Sequence, residues 1–332
     1  MGLNSLLPKE NKSKCKIHTF MDFCAGIGGG RLGLTNNNLQ CVAYSEIDNY
    51  ATQTYELFYG KEESNYGDLM NINPLNLPNF DLLIGGFPCQ TFSIVGKRTG
   101  FEDSRGKIIY GLAKILQEKQ VPCFILENVK GLINHDSGKT LKTITSLLEN
   151  IGYDVQFKLL DSSDFGVPQM RERVYIVGIR KNIPHEHFEF PKPTPMTSLS
   201  KVLTDSKEIL PLENPTFQKY LNNKYNKGRV NILKILERDY TIIDTRQSDL
   251  RVYEDKCPTL RTGRHGILYT KDFHLYKLTG FEALLLQGFP IELAIKAKNS
   301  NIPNSKILSL AGNAMTVNVI RELCQKLIEC IE

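Results

Sequence analysis

Four stretches of this chain have residue types and spacings that could do chemistry. GGFPCQTFS (85–93) follows the apolar run FDLLI. Cys89 thereby stands at the carboxyl end of a predicted buried strand, where open α/β sheets gather their ligands. A lone cysteine is more often a small buried hydrophobe, and it is the loop position that favours a nucleophile. An ordinary thiol, with a pKa of ~8.5, is only slightly ionised at neutral pH, so Cys89 would need a positive neighbour or a base. ENV (127–129) ends a second apolar strand. A carboxyl desolvated there holds its proton more tightly and can deliver it, whereas beside an arginine Glu127 would simply form an ion pair. QMRER (169–173) places Arg171 and Arg173 two apart, on one face of an extended chain, where either could bind a base carbonyl or orient Glu127. FMDFCAGIGGGRLGL (20–34) reads strand, glycine turn, helix. Gly26, Gly28 and Gly29 permit a sharp turn and close ligand approach before a helix N-terminus. Glu46, about 20 residues beyond the turn, suits the two hydroxyls of a ribose, and Asp68 an adenine amino group. Together they fit an adenosine-containing cofactor and leave open a dinucleotide or S-adenosylmethionine.

These residues need a scaffold. Strand-like segments at 18–24, 40–46, 80–86, 123–129, 153–161 and 173–179 alternate with helical ones at 31–37, 49–59, 106–119 and 140–150. That rhythm predicts an α/β fold with a largely parallel sheet and helices on both faces. The loop 93–107 carries Lys97, Arg98, Arg105 and Lys107 among glycines and could close over a polyanion. After Arg180 the rhythm stops. FPKPTPMTSLS (190–200) reads as an irregular entry to a second region. Between Lys219 and Arg264 eleven basic residues face six acidic ones, an excess of five that equals the net +5 of the chain. Such a segment suits a phosphate backbone. The spacing of Val317, Ile320, Leu323, Leu327 and Ile331 predicts a final amphipathic helix over 315–331.

Composition narrows the class. The chain has 332 residues, 41% hydrophobic and 23% charged, which is ordinary for a folded protein of about two domains and excludes a disordered one. No apolar run approaches the ~20 residues of a membrane-spanning helix, and the polar tail at 1–15 lacks a secretory core. The eight cysteines are scattered without C-x-x-C pairs, so reduced cytoplasmic thiols are expected and no metal site is.

FMDFCAGIGGG, SEID, GD, GGFPCQTFS, ENV, QMRER, CPTLRTG, LLLQGFP and AGNAMTVNVI occur in the order and spacing of the C5-cytosine DNA methyltransferases, which the chain resembles over most of 18–180 and again at about 257–325. The resemblance implies an S-adenosylmethionine-dependent, Rossmann-like catalytic domain over 16–185 plus 301–332. It implies a smaller target-recognition domain over 186–300, with duplex DNA in the cleft between them. It gives Cys89 addition to cytosine C6, Glu127 the N3 side of the ring, and Arg173 the base O2 with Arg171 nearby. The target base must be flipped out of the duplex for this. It places the cofactor among Cys24, Gly26, Gly28, Gly29, Glu46, Ile47, Asp68, Leu69, Pro88 and Asn313. Cys24 stands where the family usually has an aromatic ring, and Ile47 lacks the aromatic character some members show, so weaker cofactor binding is expected. Ser93, Lys97, Arg98 and Gln169, with Arg246, Gln247, Arg251 and Arg264 of the basic segment, are candidate DNA contacts. A monomer in the cytoplasm, close to the nucleoid, with a cognate restriction endonuclease acting on the same site, completes the expectation. Transfer-RNA-type relatives share the catalytic motifs but carry C-F-T in the small domain. Here the only Cys-Phe pair, Cys123–Phe124, continues to Ile125. A silent DNA-binding homologue would not need Cys89, Glu127 and Arg173 together, and a nicotinamide dehydrogenase would not explain them.

Overall fold

The structure is a computed structural model that describes residues 16–87, 108–205, 209–263 and 265–331. The tail 1–15, and Pro88, Cys89, Ser93, Lys97, Arg98 and Arg264, lie outside the described residues.

The first half follows the alternation read from the sequence: β1 (Thr19–Phe23), α1 (Gly29–Thr35), β2 (Gln40–Ser45), α2 (Asn49–Tyr59), β3 (Ser64–Asn65), β4 (Leu82–Gly86), α3 (Ile108–Lys119), β5 (Cys123–Val129), α4 (Lys139–Asn150), β6 (Tyr153–Asp161), β7 (Gln169–Met170) and β8 (Glu172–Arg180). Seven strands form one sheet in the order β3-β2-β1-β4-β5-β8-β6. Neighbours are parallel from β3 to β5, and β8 runs against both β5 and β6. The chain winds one way from β1 to β3 and the other way from β4, so a crevice opens between the ends of β1 and β4, the topological switch point. Alternating side chains cover both faces. Met21, Leu83, Phe124 and Ile176 pack under α3 and α4. Phe20, Leu82, Ile84, Ile125 and Val177 pack under the last helix. Strands buried on both faces read as continuous apolar runs, which is why LLIGG and CFIL were legible.

The second half contains α5 (Pro215–Leu221), α6 (Ile232–Leu236), β9 (Ile242–Asp244), β10 (Arg251–Tyr253), β11 (Cys257–Pro258), β12 (Ile267–Lys271), β13 (His274–Lys277), α7 (Gly280–Leu286), α8 (Ile291–Lys298), α9 (Asn304–Asn313) and α10 (Val317–Ile331). An antiparallel sheet of order β10-β9-β12-β13 has its own core of Leu210, Phe217, Leu236, Ile243, Leu250, Leu268 and Leu275. β11 pairs with β7, a parallel stitch between the halves.

Packing does not divide at 186 and 300. Phe188 belongs to the core under α10, and Glu186 exchanges a backbone bond with Cys330 at 3.0 Å. In the other direction, α7, α8 and α9 share a cluster with Ile27, Ala51 and Phe58 of the first half. The basic segment divides between the two cores: Leu236, Ile243 and Leu250 stay in the core of the small sheet, while Ile242, Cys257 and Leu260 join the cluster shared with the first half. Among the described residues no helix is long and apolar enough to cross a membrane, and no acid, histidine or cysteine cluster could hold a metal.

Candidate active site

The carboxyl ends of β1, β2, β4 and β5 converge on one cavity of about 480 Å³, within the usual range for small-molecule sites. Cys24, Ala25 and Gly26 line it after β1, Glu46 and Asp48 after β2, Gly86 and Phe87 at β4, and Glu127 and Val129 at β5. The reversed strand completes the wall. Because β8 is antiparallel to β5, its first residues meet the last residues of β5: Arg173 pairs with Val129 and Tyr175 with Glu127. The Arg173 Nε thereby lies 2.9 Å from Glu127 Oε1, with both side chains about one-seventh exposed (14% and 13%). Of the two roles open to Glu127, the ion pair with a neighbouring arginine is what the strands build. Between them Asn128 is buried, and its amide donates to the Phe87 carbonyl at 2.9 Å, fixing the point where the chain leaves β4 towards Cys89.

At the glycine turn, Gly26 adopts φ +56° with open space where a Cβ would stand, and its N–H donates to Glu46 Oε2 at 2.7 Å. Glu46 Oε1 accepts from the N–H groups of Ile47 and Asp48 at 2.7 and 2.8 Å, so the carboxylate is fixed by backbone alone. Cys24, at φ 52°, lines the cavity, and burial, helped by Glu46, Asp22 and Asp68, pushes its thiol up to about 12. Burial also raises the Asp22 carboxyl well above the usual range. From the far end of the sequence Gly312, Asn313, Ala314 and Met315 also line the cavity, and the Thr262 hydroxyl donates to Asn313 Oδ1.

Other expected contacts do not line this cavity, although Asp68 is near enough to act on the Cys24 thiol. A Cβ on Gly28 would fall 2.4 Å from the Tyr59 ring, and one on Gly29 would fall 2.4 Å from the Met315 carbonyl. These glycines permit close packing behind the loop and are not on the cavity wall. Neither is Ile47, which is 72% exposed. Asp68 caps the turn that follows it, and Leu69 is buried in the core.

Three readings of type alone are corrected by burial. Gln169 is no DNA contact: it is fully buried, donating to the Leu286 carbonyl and accepting from the Leu260 N–H. Arg246 is not free to read a base either. Its side chain is 3% exposed, forks onto Asp244 and donates to the Thr259 carbonyl at 2.6 Å. Arg171 reaches the cavity wall, but its Nη1 and Nη2 donate to the carbonyls of Leu260, Gly312 and Ala314 and its Nε is buried without a partner among the described residues, so the protein holds it rather than presenting it to a substrate. Arg251 and Gln247 remain accessible on the four-stranded sheet, bonded to each other at 2.9 Å. Tyr50, Lys306, Ser309 and Met315 line the cavity and were not singled out. Met315 lies in AGNAMTV, two residues from Asn313, whereas Tyr50 gave no signal beyond helical position and Lys306 gave none.

The sequence profile of the C-5 cytosine-specific DNA methylases matches residues 18–329. The chain is 38% identical over 316 residues to the Type II methyltransferase M.NgoBI of Neisseria gonorrhoeae, covering 94% of each chain. It is 37% identical to the Type II methyltransferase M.HaeII of Haemophilus aegyptius, covering 95% of this chain and 94% of that one. Among solved structures, a Spodoptera frugiperda DNMT2 mutant superposes with a TM-score of 0.69 at 21% identity, over 93% of this chain and 99% of that one, a likeness of fold. With the profile spanning nearly the whole chain, the protein belongs to the C-5 cytosine-specific DNA methylases and is a DNA cytosine-5 methyltransferase.

Proposed function

We propose that the protein methylates C5 of one cytosine within a short duplex DNA sequence, as the modification half of a Type II restriction–modification system. It would work as a cytoplasmic, nucleoid-associated monomer, with the cognate endonuclease cutting the same sequence without a stable complex. The observation that carries this reading is one cavity lined by the Glu127–Arg173 pair together with Gly26, Glu46 and Asn313. One void thus joins a base-binding wall to a nucleoside-binding wall.

The residues present fit S-adenosylmethionine. Glu46 Oε2 carries one backbone hydrogen bond and so keeps acceptor capacity for a ribose hydroxyl. The open space beside Gly26 admits a ligand against the backbone. When bound, the cofactor supplies an electrophilic methyl group. Gly26, Glu46 and Asn313 would hold it, with Cys24 offering a smaller contact than a ring would.

Arg173 donates to the base O2, and Glu127, oriented by Arg173, hydrogen-bonds the N3 edge. Phe87, tied down by Asn128, sets where the loop bearing Cys89 begins. Cys89 Sγ adds to C6, which makes C5 electron-rich enough to take the methyl group. The C5 proton is then lost, the C6–S bond breaks, and the thiolate leaves. A thiolate suits both ends of this sequence because it attacks well and leaves well. A side chain reaches C6 only when the base is out of the stack, so the base is flipped into the cavity.

A base-resolution 5-methylcytosine map of host DNA, with the protein expressed and with Cys89→Ala as control, tests the proposal. Methylation at one short motif, absent in the control, is expected. No methylation from a folded, cofactor-binding protein would refute it, and labelled methyl transfer to total RNA would be the next assay.

A further inference from the structure

We infer that Arg171 is a positioning residue for the cofactor: it locks the two segments that carry Asn313 and Thr262 to the strand that carries Arg173. The inference rests on the functional reading above and goes beyond it.

Arg171 sits between β7 and β8, two residues before Arg173, and is 2% exposed. Its Nη1 donates to the Leu260 carbonyl at 3.3 Å and the Gly312 carbonyl at 3.1 Å, and its Nη2 to the Ala314 carbonyl at 3.0 Å. Gly312 and Ala314 flank Asn313. Leu260 lies two residues before Thr262, whose hydroxyl bonds Asn313. One planar group therefore spans three carbonyls from two segments about fifty residues apart in sequence. A guanidinium can do this because its N–H fork is rigid, whereas an ammonium is a point donor on a flexible stem. Burial and then the nearby Arg173 push the group down to about 10, so it stays a cation at neutral pH.

The neighbours of Arg171 leave little slack. Ser162 Oγ bonds Thr316 Oγ1 at 2.8 Å, Thr316 donates to Gln287 Oε1 at 2.9 Å, and Gln287 Nε2 donates to the Ala311 carbonyl at 2.6 Å. These bonds grip both ends of the 312–315 wall. A Cβ on Gly312 would fall 2.8 Å from the Arg261 carbonyl carbon, so the two segments are in backbone contact where Arg171 ties them. Both Nη atoms of the fork are held by protein carbonyls, and the Nε is buried without a partner among the described residues. What it fixes is the separation between Asn313 and the Glu127–Arg173 pair.

Three variants test this. Arg171→Lys keeps the charge and spans fewer carbonyls. Gly312→Ala wedges the same two segments apart and leaves the Arg171 side chain itself unchanged. Tyr153→Phe is a control for stability alone, losing buried bonds to the Leu116 and Val121 carbonyls in the core under α3 and α4. The measurements are Kd for S-adenosylhomocysteine, the salt dependence of duplex DNA binding, and Tm. Both Arg171→Lys and Gly312→Ala are expected to raise the Kd about tenfold. The slope of log Kd for DNA against log salt should stay at the wild-type value, and Tyr153→Phe should lower Tm without moving the Kd. A slope smaller by about one in Arg171→Lys would mean a lost phosphate contact and overturn the inference. So would a wild-type Kd in Arg171→Lys, or a Kd raised equally by Tyr153→Phe. Wild-type protein that binds no S-adenosylhomocysteine would instead sink the functional reading itself.

Discussion

The cavity wall and the four-stranded sheet each set an arginine against a carboxylate, and the two pairs have opposite fates. Arg173 and Glu127 are joined by one contact and keep 14% and 13% of their side chains open in the cavity. Arg246 and Asp244 are joined through both fork nitrogens and both carboxylate oxygens, with 3% and 9% exposed, and Arg246 is also bonded to a backbone carbonyl. A pair with spare donors and acceptors can be completed by a ligand, whereas a saturated one is a brace. The strand reversal at β8 creates the first by bringing a strand start to a strand end. The short β9 creates the second by burying Asp244.

The sharpest way to break this contrast is to remove one member of each pair. Glu127→Gln should lower kcat about 10²–10³-fold in a single-turnover assay with little loss of Tm, because the group acts on charge developing in the base. A large Tm loss with intact kcat would reverse the two assignments. Arg246→Ala should cost about 2–3 kcal/mol in urea unfolding, since Asp244 would be left buried and unpaired. Arg251→Ala, on the exposed edge, should leave stability unchanged and weaken DNA binding. The first difference should also depend on pH. Burial pulls the Asp244 carboxyl upward, but the Arg246 hydrogen bonds outweigh it and hold the group below its usual 3.8. A lowered folded pKa contributes stability above 3.8 that is lost as pH falls through the lowered value. The gap between wild type and Arg246→Ala should therefore close below pH 4. The smallest effect lies at Cys24. An aromatic ring there should gain about 1 kcal/mol of contact, so Cys24→Phe should tighten cofactor binding about fivefold. Both side chains meet the same left-handed backbone at φ 52°, so the exchange adds little strain. Equal or weaker binding by the variant would defeat the idea.

The sheet was legible because strands buried on two faces announce themselves as apolar runs. The segments 49–59, 123–129 and 153–161 match α2, β5 and β6 end to end. α1 begins at Gly29, ahead of the expected Arg31, because the glycines that permit the turn also form the first helical turn. The antiparallel sheet of the second half was not legible, since strands such as Ile242–Asp244 and Arg251–Tyr253 are too short to show alternation. At the site, position at the end of a strand marked Glu127, Gly26 and Glu46, and position at the start of one marked Arg173; all four line the cavity. Residue type alone misplaced Gln169 and Arg246. A polar side chain that reads a base and one that satisfies a buried backbone have the same chemistry, and only burial tells them apart.

The cavity wall at 312–315 comes after every other cavity-lining segment in the sequence, and α10 holds it by packing on α1. Domains fold in the order in which the ribosome delivers them. A nascent chain synthesised through residue 300 can already pair Glu127 with Arg173, but a third of the residues that line the cavity do not yet exist. A product terminated there has no completed cavity and is expected to transfer no methyl group.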